Sequence, residues 1–371
     1  MTFPVPAVPD DVRSAADAVL TEHVEVLPTE IAPLGPDIAA LVTALRHALA
    51  GGKRLRAAFC YWSWRAHAER GPGLPVPDDH RRAVRVGASL ELFHAAALVH
   101  DDVMDASDTR RGRPAAHREF ETVHRTAAWT GDAGRFGQAG AILLGDLALV
   151  ASERELSTAV AGLAFERRAA VRAIFDLMRT EVTAGQYLDV LAQVVPWGID
   201  HELDEERTLT VVRAKSARYS VEHPLALGAA LAGASEQDLS LLHEVGLALG
   251  EAFQLRDDLL GVFGDPAATG KPAGDDLREG KRTLLVVRAL RAAPPSDAAM
   301  IREAVGRPGL TEEDVARVRA ALRRCGAVDQ VEARIAELAE PALAALAGAD
   351  LAEPGRSALA ALGRAAVHRS A

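Results

Sequence analysis

Cysteine is nearly absent: Cys60 and Cys325 are the only two in 371 residues. They are far apart and form no Cys-x-x-Cys pair, which argues against a disulfide framework or a thiolate zinc site and fits a reducing compartment. Aromatic residues are scarce, at 4%, so a core must be built mostly from Ala, Leu and Val. Ala and Leu are strong helix formers. Positive charge is in deficit, with 42 Lys and Arg against 52 Asp and Glu, a formal net charge of −10. Non-specific nucleic-acid binding needs a basic footprint, so no nucleic-acid partner is expected. Local basic clusters still leave room for anionic substrates. No apolar run approaches the roughly 20 residues of a membrane span; the longest neutral stretch is Pro224 to Ser235. The Pro-rich segment Met1 to Asp10 lacks the basic and apolar regions of a signal peptide. The expectation is a cytoplasmic protein with no transmembrane segment.

Helical periodicity dominates and alternating strand patterns are nearly absent. Breakers such as Gly71 to Pro77, Pro196-Trp197-Gly198, Gly264-Asp265-Pro266, Pro294-Pro295 and Pro354-Gly355 divide the chain into long helices. One begins near Asp78 or Asp79 and runs to about Met104. Others are expected over Ala139 to Ser152, about Arg167 to Val195, and about Glu236 to Phe263. There is no repeat of fixed period. The expectation is one large all-α domain over 1–371, with 1–36 an N-terminal extension and about 300–371 packed on the bundle as C-terminal helices.

Four segments can carry chemistry. In His100-Asp101-Asp102-Val103-Met104-Asp105, Asp101 and Asp105 stand at i and i+4 and share one helix face. Carboxylates so close repel unless a cation sits between them, and oxygen-only ligands favour a hard ion such as Mg²⁺ that shares its shell with phosphates. Taken alone, such a run is more often a solvated acidic helix end. Arg110 and Arg111 follow at once, and paired arginines suit bidentate phosphate recognition. Gln254-Leu255-Arg256-Asp257-Asp258 places a second acidic cluster near the end of another apolar helix. Two such clusters facing each other across a cavity would clamp a diphosphate through several Mg²⁺ ions. Gly51-Gly52-Lys53-Arg54-Leu55-Arg56 sets cations at a helix start, where backbone N–H groups also attract anions. Thr269 to Thr283 is a polar, Gly-rich loop carrying Lys271 and Lys281, suited to closing over diphosphates.

Together DDVMDASDTRRG, GGKRLR, ILLGD (Ile142 to Asp146), GQYLD (Gly185 to Asp189), Lys215-Ser216, QLRDD and TGKPAGDDLREGKRT resemble the trans-isoprenyl diphosphate synthase family, in the family's order over roughly Leu41 to Leu285. The resemblance is nearest to bacterial geranylgeranyl diphosphate synthases. It implies an all-α bundle around a central substrate cavity, a homodimer, and head-to-tail condensation of isopentenyl diphosphate with dimethylallyl, geranyl or farnesyl diphosphate. By position it implies that Asp101 and Asp105 bind two Mg²⁺ with Asp102 in support. Asp257 binds a third, backed by Asp258. Arg110, Lys215 and Lys271 hold the allylic diphosphate; Lys53, Arg56, His94 and Arg111 hold isopentenyl diphosphate; Lys281 also belongs to the substrate-binding set. Ser216 and Gln254 line the reacting carbons. Ala96 and Ala97 stand where farnesyl-producing relatives carry an aromatic, which leaves the first floor of the tunnel open. Phe93, about 12 Å below Asp101 along the helix, is the expected floor for a twenty-carbon chain. The sequence departs from the family's pattern at Gly261 (usually Asp), Ala57 (commonly Pro) and Ser216 (commonly Thr). A class I terpene cyclase is the nearest rival. An HD-type phosphohydrolase would need more histidine ligands, and an inactive subunit of a hetero-oligomeric synthase would not need both acidic clusters.

Overall fold

In the computed structural model, residues 11–70, 75–265 and 274–368 are described. The protein is all-α, with one two-stranded hairpin among the described residues. The principal helices are α1 Val12–Ile31, α2 Ala39–Leu49, α3 Leu55–Ala68, α4 Pro77–Met104, α5 Ala116–Thr126, α6 Ala133–Val160, α7 Phe165–Val194, α8 His201–Val211, α9 His223–Ala232 and α10 Glu236–Phe263. They are followed by α11 Asp275–Glu279, α12 Leu284–Ala292, α13 Pro295–Ala304, α14 Glu312–Arg324, α15 Ala327–Gly348 and α16 Gly355–Val367. A π-helical segment, Val212–Glu222, joins α8 to α9. No described helix is long and apolar enough to cross a membrane.

The residues group into two compact units. The first comprises Met1–Ala173, Pro224–Leu239 and Leu351–Arg356; the second comprises Ile174–His223, Ser240–Asp350 and Ser357–Ala371. In the first, α4 is the central element, packed against α6, α3 and α1. Small residues let these helices approach closely. A methyl group on Gly87 of α4 would lie 3.0 Å from Cα of Ala57 on α3, the position where the family commonly has Pro. α6 is longer at both ends than its sequence pattern implied. Gly134, Gly137 and Gly140 read there as breakers, yet a Cβ on Gly137 would overlap the carbonyl oxygen of His117, and one on Gly140 would stand 2.8 Å from the ring of Phe120. They are contact surface for α5 rather than a helix end.

In the second unit the π-helical segment is held by glycines on two neighbours. A side chain at Gly185 of α7 would come within 2.5 Å of the backbone nitrogen of Lys215. On α10, Gly246 would meet Cα of Glu222 at 2.5 Å, and Gly250 would overlap the carbonyl oxygen of Ala217. A π-helix carries i→i+5 hydrogen bonds and frequently marks a functional site; here its wider backbone fits only where neighbouring side chains are missing. Gly250→Ala is expected to destabilise this unit by about 1–3 kcal/mol, the usual cost of overpacking, read as a lower urea midpoint. Gly348→Ala, at an open position on α15, is the matched control. It should leave the midpoint unchanged or raise it, because Ala is the better helix former. Equal midpoints for the two variants would contradict the close approach.

Candidate active site

The first acidic cluster ends α4. Asp105 caps the helix, its backbone N–H donating to the carbonyl of Asp101 at 2.8 Å, and the chain reverses through Ala106 at φ 51°. Asp102 is buried. The chain then enters the hairpin β1 Thr109–Arg110 and β2 Arg113–Pro114, where Thr109 pairs with Pro114 and Arg110 with Arg113. The linking residues Arg111 and Gly112 both have positive φ, 53° and 73°, as a two-residue turn with right-handed strand twist requires. This turn sends the two arginines to different tasks. Arg110 returns to the acidic cluster: its Nε donates to Asp102 Oδ1 at 2.9 Å, its Nη2 donates to the same oxygen, and Nη2 lies 3.8 Å from Asp101 Oδ2. Arg111 crosses to the GGKRLR segment and donates to the carbonyl of Ala50 at 2.9 Å. Its guanidinium lies over Gly52 (φ 98°), where a Cβ would stand 3.2 Å from Nη2.

The basic residues of GGKRLR divide by burial. Lys53 is exposed, whereas Arg54 and Arg56 are buried. Arg54 adopts left-handed backbone geometry immediately before α3 and is locked in place. Its Nε donates to Asp17 at 2.6 Å, and its Nη1 lies 3.7 Å from Glu91, which also accepts from the backbone N–H of Ala57 at 3.2 Å. Sequence reasoning gave Arg54 no role, and nothing in its neighbours Lys53 and Arg56 distinguishes it. His94, on α4, has a pKa well below the usual imidazole value. Burial is the main cause, followed by the positive charges of Arg56, Arg111, Arg110 and Arg54. The imidazole is therefore neutral near pH 7, inside a pocket of fixed positive charge. Arg56, His94 and Arg111 are thus brought together, with Arg110 bridging to Asp101 and Asp102.

On the chain-length face of α4, Phe93 is buried, Ala96 is fully buried and Ala97 keeps partial exposure. Phe93, Ala97 and Asp101 follow at i, i+4 and i+8 on one face.

The second cluster lies on the last turns of α10. Asp258 is buried and accepts from Gln254 Nε2 at 2.8 Å. Its pKa is pushed up to about 8, chiefly by burial and next by the charge of Asp276, with Asp257 adding to it. Asp257 is half-buried. Arg256, in the middle of QLRDD, points elsewhere. Its guanidinium donates to both carboxylate oxygens of Glu332 at 2.5 Å and to the carbonyl of Val367 at 3.0 Å, anchoring α10 to α15 and the end of α16. Lys215, in the π-helical segment beside half-buried Ser216, pairs with Asp189 of the GQYLD motif at 2.6 Å. Lys281 lies 2.6 Å from Glu279 and 3.7 Å from Asp276. Lys271 lies outside the described residues. Among the described residues, no three His, Cys, Asp or Glu side chains form a ready metal cage. The crowded all-oxygen donors nevertheless fit a hard divalent cation, which is commonly bound by one or two carboxylates together with substrate phosphates.

A model of the polyprenyl synthetase family matches residues 38–322. The chain belongs to this family. It is 33% identical over 291 residues to the geranylfarnesyl diphosphate synthase of Aeropyrum pernix, covering 77% of this chain and 80% of that one. It is 35% identical over 299 residues to the geranylgeranyl diphosphate synthase of Mycobacterium tuberculosis, covering 80% and 75%. Its structure matches a geranylgeranyl pyrophosphate synthase of Corynebacterium glutamicum with a TM-score of 0.89 and 39% identity, covering 99% of this chain and 100% of that one. That relative was crystallised with isoprenyl diphosphate and magnesium. The family is one of prenyltransferases that use divalent metal, and the all-α fold of the present chain is that of its members.

Proposed function

We propose that this prenyltransferase condenses isopentenyl diphosphate with an allylic diphosphate to give geranylgeranyl diphosphate, using three Mg²⁺ ions, in a single synthase domain that acts as a homodimer. The observation that carries the reading is the split of the arginine pair. Arg110 lies on the acidic cluster, while Arg111 lies on GGKRLR with Arg56 and His94. One hairpin thereby serves two anion sites, one built around carboxylates and the other around the guanidinium groups of Arg56 and Arg111. A terpene cyclase ionises a single diphosphate and would not need the second.

In the proposed chemistry, Asp101, Asp102 and Asp105 on one helix and Asp257 and Asp258 on another hold the magnesium. Bound Mg²⁺ supplies Lewis-acid neutralisation of the leaving diphosphate. Arg110, Lys215, Lys271 and Lys281 take up the charge that develops as the allylic C–O bond breaks, a stabilisation that is strongest in a dry site. Lys53, Arg56 and Arg111 hold isopentenyl diphosphate, and neutral His94 has one N–H to donate. Ser216 and Gln254 present dipoles to the cationic carbon. The double bond of isopentenyl diphosphate attacks that carbon to form the new C–C bond. A proton is then lost to the departed diphosphate. Asp101→Ala is expected to cut turnover by more than about 100-fold while leaving the melting temperature within a few degrees, because removing a ligand also relieves like-charge repulsion. Near-normal turnover would sink the assignment.

Ala97 keeps partial exposure one turn from Asp101, and Phe93 lies a further turn down the same face. One turn of about 5.4 Å approximates one isoprene unit, so Phe93 is proposed as the floor. Phe93→Ala should lengthen the products seen by chromatography, and an unchanged distribution would remove Phe93 from that role.

The homodimer is supported by exposed apolar residues on two helices. On α6, Leu143 and Val150 are 61% and 62% exposed; on α7, Tyr187, Val190, Leu191 and Val194 form an i, i+3, i+4, i+7 stripe reaching 75% exposure. Exposed apolar patches mark interaction surfaces. Analytical ultracentrifugation should give twice the chain mass, and Leu143→Glu should shift it toward the monomer; a wild-type monomer at micromolar concentration would refute the dimer.

A further inference from the structure

The helix α1 precedes the segment that the polyprenyl synthetase model matches, which begins at residue 38. It is nevertheless built into the first unit. Ala16, Val19, Leu20, Val24 and Leu27 are buried at helical spacing. His23 Nε2 lies 2.7 Å from Glu155 on α6, and Glu22 accepts from Arg85 on α4 at 3.4 Å. Beside the buried stripe, Asp17 reaches the GGKRLR turn, where its Oδ1 accepts from Arg54 Nε at 2.6 Å.

Arg54 is the fixed point of that turn. Gly51, Gly52 and Arg54 all have positive φ, 70°, 98° and 50°, and a non-glycine residue keeps such a conformation only where its surroundings impose it. Here they do so from three sides. Nε donates to Asp17, Nη2 donates to the carbonyl of Leu49, and Nη1 lies 3.7 Å from Glu91. Arg111 donates to the next carbonyl, that of Ala50. Two arginines thus hold consecutive carbonyls at the end of α2, and the chain that continues from there into α3 carries Lys53 and Arg56. The Arg54 side chain is 4% exposed and that of Asp17 is 40% exposed. A buried guanidinium that loses an acceptor keeps its charge, and leaving a donor unsatisfied is costly. Arg54 would have to move to replace Asp17, and its backbone lies between Lys53 and Arg56.

We propose that Asp17 is a positioning residue for isopentenyl diphosphate: by holding Arg54 in its left-handed conformation from α1, it sets the directions of Lys53 and Arg56. This rests on the reading that Lys53, Arg56 and Arg111 hold that substrate. Asp17 acts through Arg54, and the N-terminal helix becomes an element on which one of the two substrates depends.

The test is a comparison of Michaelis constants. Steady-state rates of the full chain are measured with isopentenyl diphosphate varied at saturating farnesyl diphosphate, and the converse, at fixed Mg²⁺, with circular dichroism confirming that each variant is folded. Asp17→Ala should raise KM for isopentenyl diphosphate about tenfold, within the roughly 100-fold that a misplacement of about 1 Å can cost. It should leave kcat and KM for farnesyl diphosphate near the wild-type values. Asp17→Asn, which keeps the shape and loses the charge, should act in the same direction and decides the matter if Asp17→Ala does not fold. Asp17→Glu, which returns a carboxylate, should recover most of the loss. Glu22→Gln, which removes the α1 carboxylate paired with Arg85, is the control and should leave both Michaelis constants unchanged. An unchanged KM for isopentenyl diphosphate in the Asp17 variants, an equal rise for both substrates, or an equal effect of Glu22→Gln would overturn the role of Asp17. Arg56→Ala separates the two levels of the argument. If it raises KM for isopentenyl diphosphate while the Asp17 variants do not, the role of Asp17 falls alone. If Arg56→Ala also changes nothing, the reading of the GGKRLR site beneath it falls as well.

Discussion

Carboxylates packed beside one another must be matched by positive charge or give up their own. This constraint shapes both acidic helix ends. At the end of α4 the matching charge is built in, because Arg110 folds back from the hairpin onto Asp102 and approaches Asp101. At the end of α10 burial and neighbouring carboxylates instead hold the Asp258 carboxyl up to a pKa of about 8. Buried like charges of this kind suit a site whose full complement of positive charge arrives with metal and substrate. The same constraint, with the sign reversed, operates around His94, where burial and, after it, the charges of four arginines hold the imidazole pKa well below its usual value.

Holding such groups in place requires helices that approach at backbone distance. Glycine and alanine make that possible. Gly52 makes room for the Arg111 guanidinium, Gly87 for α3, and Gly185, Gly246 and Gly250 for the π-helical segment that carries Lys215 and Ser216. The low aromatic content noted in the sequence belongs to the same design, since bulky rings would separate the backbones. A buried side chain in close-packed surroundings tolerates little change in volume, so the positions of the charged groups follow from these contacts.

Much of this was legible in the chain. The 3.6-residue period and the breakers placed α10 at Glu236 to Phe263 and ended α4 at Met104, as observed. The order of short motifs pointed to the family that its model and relatives establish. Other features were hidden for definite reasons. The start of α6 was missed because a helical glycine that serves as contact surface looks the same in sequence as one that ends a helix. The π-helical segment leaves no mark in the side-chain pattern, since it is a shift of backbone hydrogen bonds. Arg54, Lys53 and Arg56 share one chemistry, and only the distant Asp17 and Glu91 show which of them is structural. Arg256, inside the second motif, is likewise assigned to scaffolding only by Glu332, 76 residues away.

The central claim is that the carboxylate clusters and the cationic pocket serve two different diphosphates in one reaction. It is tested most directly by incubating the purified protein with isopentenyl diphosphate, farnesyl diphosphate and Mg²⁺, and following prenyl products and released diphosphate together. The account predicts one diphosphate released for each isopentenyl unit consumed, a twenty-carbon allylic product, and loss of both on chelation of the metal. Release of diphosphate without consumption of isopentenyl diphosphate would contradict it, as would elongation that persists after the metal is removed.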